Sequence, residues 1–115
     1  MLVIPWGLWV HGQGEWKQYL HPNGKISSEG HIVDGRPEGY WRTYYEDGTL
    51  KSEGNRARFE LDSTWRFFNV DGRLMTTIEY KAGKKNGVSR RYDADGALLL
   101  EETFVNDVKE GPLVE

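Results

Sequence analysis

Short runs of aromatic, aliphatic and β-branched residues alternate with polar ones along this chain, and glycine-bearing turns break them at regular intervals. That pattern predicts half-buried β-strands joined by tight turns. Four turn glycines, Gly24, Gly48, Gly72 and Gly96, stand 24 residues apart, and each follows an Asn or Asp (Asn23, Asp47, Asp71, Asp95). Such pairs are the strongest short-range hairpin signal, because both residues tolerate positive φ. Ahead of them come Trp16, Trp41, Trp65 and finally Ser89; two residues after them come Ile26, Leu50, Leu74 and Leu98. A second glycine-bearing turn, such as Asp34-Gly35-Arg36-Pro37-Glu38-Gly39, links the units. The spacing predicts an all-β chain of four tandem antiparallel hairpin repeats (residues 15–39, 40–63, 64–87 and 88–111) in one elongated, twisted meander sheet. Residues 1–14 are expected to cap it, with a partial strand over residues 6–11, and residues 112–115 form a tail.

Pairing each unit about its glycine gives a register. In the second unit, a two-residue turn at Asp47-Gly48 sets Tyr45 opposite Leu50, Arg42 opposite Glu53 and Trp41 opposite Gly54. In the first, Pro22 reads as an extra residue absorbed by a three-residue turn, so that Lys17 faces Glu29 and Trp16 faces Gly30. In the fourth, Arg90 faces Glu101. Opposite charges across a pair are favourable, and an aromatic ring over a cross-strand glycine shields the backbone there. The third and fourth units are degenerate: Arg66 faces Thr77, Trp65 faces Ile78, and Ser89 faces Glu102. The second unit ends without turn glycines, in Arg58-Phe59-Glu60-Leu61-Asp62-Ser63. A different backbone path is expected there, with Phe59 or Leu61 turned inward.

Composition agrees with such a chain. Of its 115 residues, 37% are hydrophobic and 13% aromatic, and 14 are glycine. The aliphatic core is therefore thin, and large aromatic side chains must supply much of the burial. A net charge of −3, with 15 basic and 18 acidic residues, argues against a dedicated nucleic-acid surface. With no cysteine, disulfides and thiolate metal sites are excluded. Residues 1–10 are apolar but lack the basic start and cleavage site of a signal peptide, so a soluble, cytoplasmic protein is expected.

The stretch Gly39-Tyr40-Trp41-Arg42-Thr43-Tyr44-Tyr45-Glu46-Asp47-Gly48-Thr49-Leu50-Lys51-Ser52-Glu53-Gly54-Asn55 resembles one unit of the MORN-repeat variant family of bacteria. The resemblance runs from about residue 14 to residue 111 and weakens in the last unit. It implies consecutive hairpins in one sheet. Many relatives look like members of the YwqK-type antitoxin family, and some are labelled membrane-binding. The resemblance offers no shared catalytic residues.

Candidate chemistry is sparse. His11, His21 and His31 are evenly spaced, but the register keeps them apart and joins no carboxylate cluster to them, so neither a metal site nor a cofactor is expected. Ser27, Ser28, Ser52, Ser63 and Ser89 lack a nucleophile-elbow pattern and a nearby histidine. Gly12-Gln13-Gly14 is only a fragment of a glycine-rich loop. The chain is read as a non-enzyme.

The sheet faces carry more. Side chains alternate along a strand, which groups Trp16, Trp41 and Trp65 with Leu20, Tyr45, Ile26, Leu50 and Leu74. This face is expected to be the better buried, curled on itself or covered by the N-terminal segment. The opposite face carries Lys17, Arg42, Arg66 and Arg90, with Tyr19, Tyr44, Phe68 and Tyr92 two residues further on. Tyr and Arg are enriched at protein interfaces, although such a ladder also stacks neighbouring hairpins. Tyr19, Arg42, Tyr44, Arg66, Phe68, Arg90 and Tyr92 are therefore the candidate partner-binding residues. A protein partner, such as a toxin, is the leading expectation. A membrane surface is an alternative that the interleaved acids disfavour. Open sheet edges allow self-association, and an architectural piece of a longer array is a third reading.

Overall fold

A computed structural model describes residues 14–111. The expected strand over residues 6–11 and the tail lie outside that range. The strands are β1 (Glu15–Leu20), β2 (Ile26–Val33), β3 (Arg36–Tyr44), β4 (Leu50–Ala57), β5 (Glu60–Phe68), β6 (Leu74–Lys81), β7 (Lys84–Tyr92), β8 (Leu98–Val105) and β9 (Val108–Glu110). They form one antiparallel sheet in chain order. The sheet is a single layer of 64 × 38 × 17 Å with a radius of gyration of 17.4 Å, against about 13 Å for a compact chain of this length. Among the described residues, no helix is long and apolar enough to cross a membrane.

The long-hairpin turns are congruent. The Gly24 amide donates to the His21 carbonyl (2.9 Å) and the His21 amide to the Lys25 carbonyl (2.7 Å). The same two bonds recur at Tyr45/Gly48/Thr49, Asn69/Gly72/Arg73 and Asp93/Gly96/Ala97. Within these turns only the glycine has positive φ (91°, 97°, 87° and 88°). Each is therefore a three-residue loop closed by a glycine bulge, not the two-residue turn expected at Asp47-Gly48. Asn23 and Asp47 act through their side chains, accepting the amides of Lys25 and Thr49.

This turn corrects the register of the first unit. Pro22 is not an extra residue but the counterpart of Glu46, Val70 and Ala94. The observed partners are Trp16↔His31, Lys17↔Gly30 and Gln18↔Glu29, one residue from expectation. Away from the turns, the expected pairs hold in the other units: Trp41↔Gly54 and Arg42↔Glu53, Trp65↔Ile78 and Arg66↔Thr77, Ser89↔Glu102 and Arg90↔Glu101. Next to the second turn, Leu50 pairs with Tyr44 rather than Tyr45.

The joins between units are two-residue turns with both φ angles positive: Asp34-Gly35, Arg58-Phe59, Ala82-Gly83 and Asn106-Asp107. Arg58-Phe59 thus follows the common path, contrary to expectation, although left-handed backbone is costly for a bulky residue. Neighbouring groups hold it there. Glu38 accepts the amides of Arg58 (3.2 Å) and Phe59 (2.8 Å), and Arg56 donates to the Phe59 carbonyl (3.0 Å). The Arg36 guanidinium lies 3.9 Å from the Phe59 ring centroid.

Among the described residues, apolar burial concentrates on two side chains, Trp41 (7% exposed) and Trp65 (6%), with Ser52 buried beside them as a polar group. Each indole lies over the glycine of the preceding unit, not over the one within its own hairpin. A Cβ added at Gly30 would come closer than 3.0 Å to the Trp41 ring, and one at Gly54 likewise to Trp65. The indole nitrogens donate to the next carbonyl along, Trp41 to His31 (3.1 Å) and Trp65 to Asn55 (2.9 Å). The expectation that Trp16 covers Gly30 fails, because the one-residue slip turns Trp16 to the opposite face, where it is 50% exposed. Tyr19 turns the other way and stacks on Trp41, with centroids 6.4 Å apart. Leu20, Ile26, Leu50 and Leu74 lie across the sheet from Trp41, not beside it.

Gly54→Ala is expected to destabilise by about 1–3 kcal/mol in urea unfolding, the cost of overpacking against a ring that cannot retreat. In the double variant with Trp65→Leu, the alanine's added cost should shrink, because the two residues contact each other.

Candidate binding face

On the face opposite the buried tryptophans, the pairings align two rows that run across the strands. The first has one polar residue per strand: Gln18, Glu29, Arg42 and Glu53, then Arg66, Thr77, Arg90 and Glu101. Gln18 Nε2 donates to Glu29 Oε1 (3.0 Å). Glu53 sits between Arg42 (3.3 Å) and Arg66 (3.8 Å), and Arg90 meets Glu101 at 2.7 Å. Because the arginine side chains are 40–45% exposed, each ion pair contributes about 0–1 kcal/mol. Thr77 interrupts the alternation, leaving Arg66 and Arg90 on either side of a neutral residue.

The second row is apolar and lies nearer the glycine turns. It consists of the pairs Leu20↔Ile26, Tyr44↔Leu50, Phe68↔Leu74 and Tyr92↔Leu98. Between successive turns the row floors shallow open grooves. Gly24, Lys25, Ile26, Tyr44, Asp47 and Gly48 line one of about 440 Å³. Two repeat periods along, Arg73, Leu74, Tyr92, Ala94, Asp95 and Gly96 line its counterpart of about 330 Å³.

Tyr44 ties the rows together by donating its hydroxyl to Glu29 Oε2. Burial, reinforced by this bond to a carboxylate, pushes the Tyr44 phenol up from 10.0 to about 12. The bonds from Tyr44 and then Gln18 hold Glu29 below the usual carboxylate range, aided by Arg42 and opposed by partial burial. Burial, then the neighbouring Glu53, also raises Tyr40, and Arg42 lies 5.1 Å over the Tyr40 ring.

Six of the seven sequence-selected residues, Arg42, Tyr44, Arg66, Phe68, Arg90 and Tyr92, come together on this face. Tyr19 does not, because it stacks on Trp41 across the sheet, and Lys17 shares its side. Sequence reasoning missed Trp16, Gln18 and the aliphatic half of the apolar row. The available signal was a count: Trp16 precedes Gly24 by eight residues, whereas Trp41 precedes Gly48 by seven.

The histidines inside the described range do not converge. His21 Nε2 bonds the Tyr44 carbonyl (2.9 Å), and His31 meets the Trp16 ring edge-on at 5.2 Å; His11 lies outside that range. Among the described residues, no group of three or more His, Cys, Asp or Glu gathers at metal-binding distance.

The model of the MORN repeat variant family matches two stretches, residues 37–56 and 85–106. They fall on the β3–β4 and β7–β8 hairpins, and their starts lie two periods apart. No curated protein and no solved structure matches the chain.

The Tyr44–Glu29 bond predicts a pH dependence. With a folded pKa above the unfolded one, Tyr44 contributes stability that is fully present below about pH 10. That contribution is lost as pH rises towards about 12. Tyr44→Phe should flatten this alkaline loss in unfolding measured pH by pH. The same variant should raise the Glu29 pKa in a carboxyl NMR titration.

Proposed function

We propose that this chain is a non-catalytic module that binds another protein through the face bearing Arg42, Tyr44, Arg66, Phe68, Arg90 and Tyr92. The observation that carries the reading is an apolar row and a charged row lying side by side on a sheet one layer thick. A single layer cannot bury this face by itself, and an aromatic strip rimmed by arginines suits protein recognition. The charged row favours a partner whose own charges alternate, because mismatched neighbours would repel. Repeats of the matched family generally serve as protein- or membrane-binding modules, which supports the same class of function. Because many relatives in the family these units resemble look like YwqK-type antitoxins, a cytoplasmic toxin is the partner to try first, with the module acting as an antitoxin or immunity protein.

A second reading is peripheral binding to phospholipid headgroups, favoured by Arg66 and Arg90 flanking Thr77 with Phe68 and Tyr92 close by. Glu53 and Glu101 oppose it, since both already engage these arginines.

The test is affinity capture from host lysate with the native chain and with Arg42→Ala/Tyr44→Ala. A specific partner should be retained by the first and lost at least about tenfold by the second, given the typical cost of truncating interface Tyr and Arg. Unchanged capture by a folded double variant would refute this choice of face. Sedimentation with anionic vesicles at low and high salt decides the second reading: binding at low salt alone supports it, and no binding at either removes it.

A further inference from the structure

We propose that the two ends of the sheet are complementary, so that the edge of β8 in one copy, beside which no described strand lies along residues 98–102, receives β1 of a second copy in the register used inside the chain. On β8, the three-residue strand β9 pairs only with residues 103–105. Residues 98–102 have no strand on that side among the described residues, nor does the outer edge of β1. In the repeat frame, β9 occupies positions equivalent to residues 12–14, four periods along. A second copy's β1, which starts at Glu15, would therefore begin where β9 stops.

The side chains follow the same rule. At the internal joins, Gly30 meets Trp41, Gly54 meets Trp65, and Ile78 pairs with Ser89. Small faces large at each, with the volumes exchanged at the third. The next position on β8 is Glu102, which no indole could cover. The equivalent position on β1 is Lys17, the one strand where that site carries a cation. A Glu102–Lys17 contact continues the series with charge in place of volume.

The neighbouring positions agree. Leu100 (40% exposed) would meet Tyr19 (47%), and Leu98 (52%) would meet Leu20 (60%), so four exposed apolar side chains would cover one another. Glu101 would face Gln18, repeating the Gln18–Glu29 pairing inside the chain. Such a contact joins two different surfaces, so it propagates head to tail rather than closing as a two-fold dimer.

The experiment is sedimentation velocity on the full chain from micromolar to millimolar concentration, with circular dichroism as a fold control. The native protein should grow with concentration. Lys17→Glu alone should weaken association roughly tenfold, as should Glu102→Lys, by turning an attraction into a like-charge repulsion. Lys17→Glu leaves the Glu102–Lys109 ion pair untouched, which keeps the test independent of β9. The double swap Lys17→Glu/Glu102→Lys should restore association, and so should mixing the two single variants. A native chain that stays monomeric overturns the proposal. So does association unaffected by Lys17→Glu, or a folded double swap that fails to recover it.

Discussion

Everything in this sheet rests on an indole laid over a glycine one unit back. A single layer has no interior, so apolar burial must come from side chains lying flat on the backbone. Trp41 over Gly30 and Trp65 over Gly54 supply it, each worth about 1.5–3 kcal/mol of transfer energy. The indole N–H bonds to the His31 and Asn55 carbonyls add about 1 kcal/mol apiece. Both terms cross a join between units, so a hairpin is completed by its successor. Stability therefore accrues between nearest neighbours, as in other repeat arrays, and the Ile78–Ser89 join lacks the indole term.

With one face devoted to joining, the other carries the charged and apolar rows. The period of 24 is even, so the strand alternation returns each equivalent residue to the same side in every unit. Arg42, Arg66 and Arg90 thus stand in one row, two strands apart, at a spacing of about 9.6 Å. The turns keep the rows straight. Tyr45 donates to the Phe68 carbonyl at 2.6 Å, and His21 makes the equivalent contact to Tyr44 at 2.9 Å. A partner bound there would meet rows tied together by the turns rather than a set of independent loops.

The turn glycines were enough to read the hairpins, the single sheet and the register of three units, because positive φ at Gly48 or Gly72 is a local demand that few residues meet. The failures were of two kinds. Trp16 mimicked Trp41 while standing one residue out of phase, and side-chain type outweighed the count. At Arg58-Phe59 the backbone keeps its path without glycine because Glu38, some twenty positions earlier, caps both amides. That support is tertiary, and no local pattern announces it. Cα register also could not say which way an indole leans, since Trp41 lies between Gly30 and Gly54 and is partnered with both.

The direction of the two rows would link the proposed binding to the proposed assembly. Rows that run along strands would end at each copy, whereas these run across strands and so reach the edges of the sheet. At the β8–β1 contact, Leu98 would continue into Leu20 and Glu101 into Gln18, carrying the apolar and polar rows from one copy to the next. A partner long enough to span the contact would bind both copies, and the gain would appear as avidity rather than as any new type of contact. Partner binding would in turn favour end-to-end association, because linkage makes such coupling reciprocal. The even repeat that keeps the chemistry on one face of a single chain is thus also what would keep it on one face of a string of them.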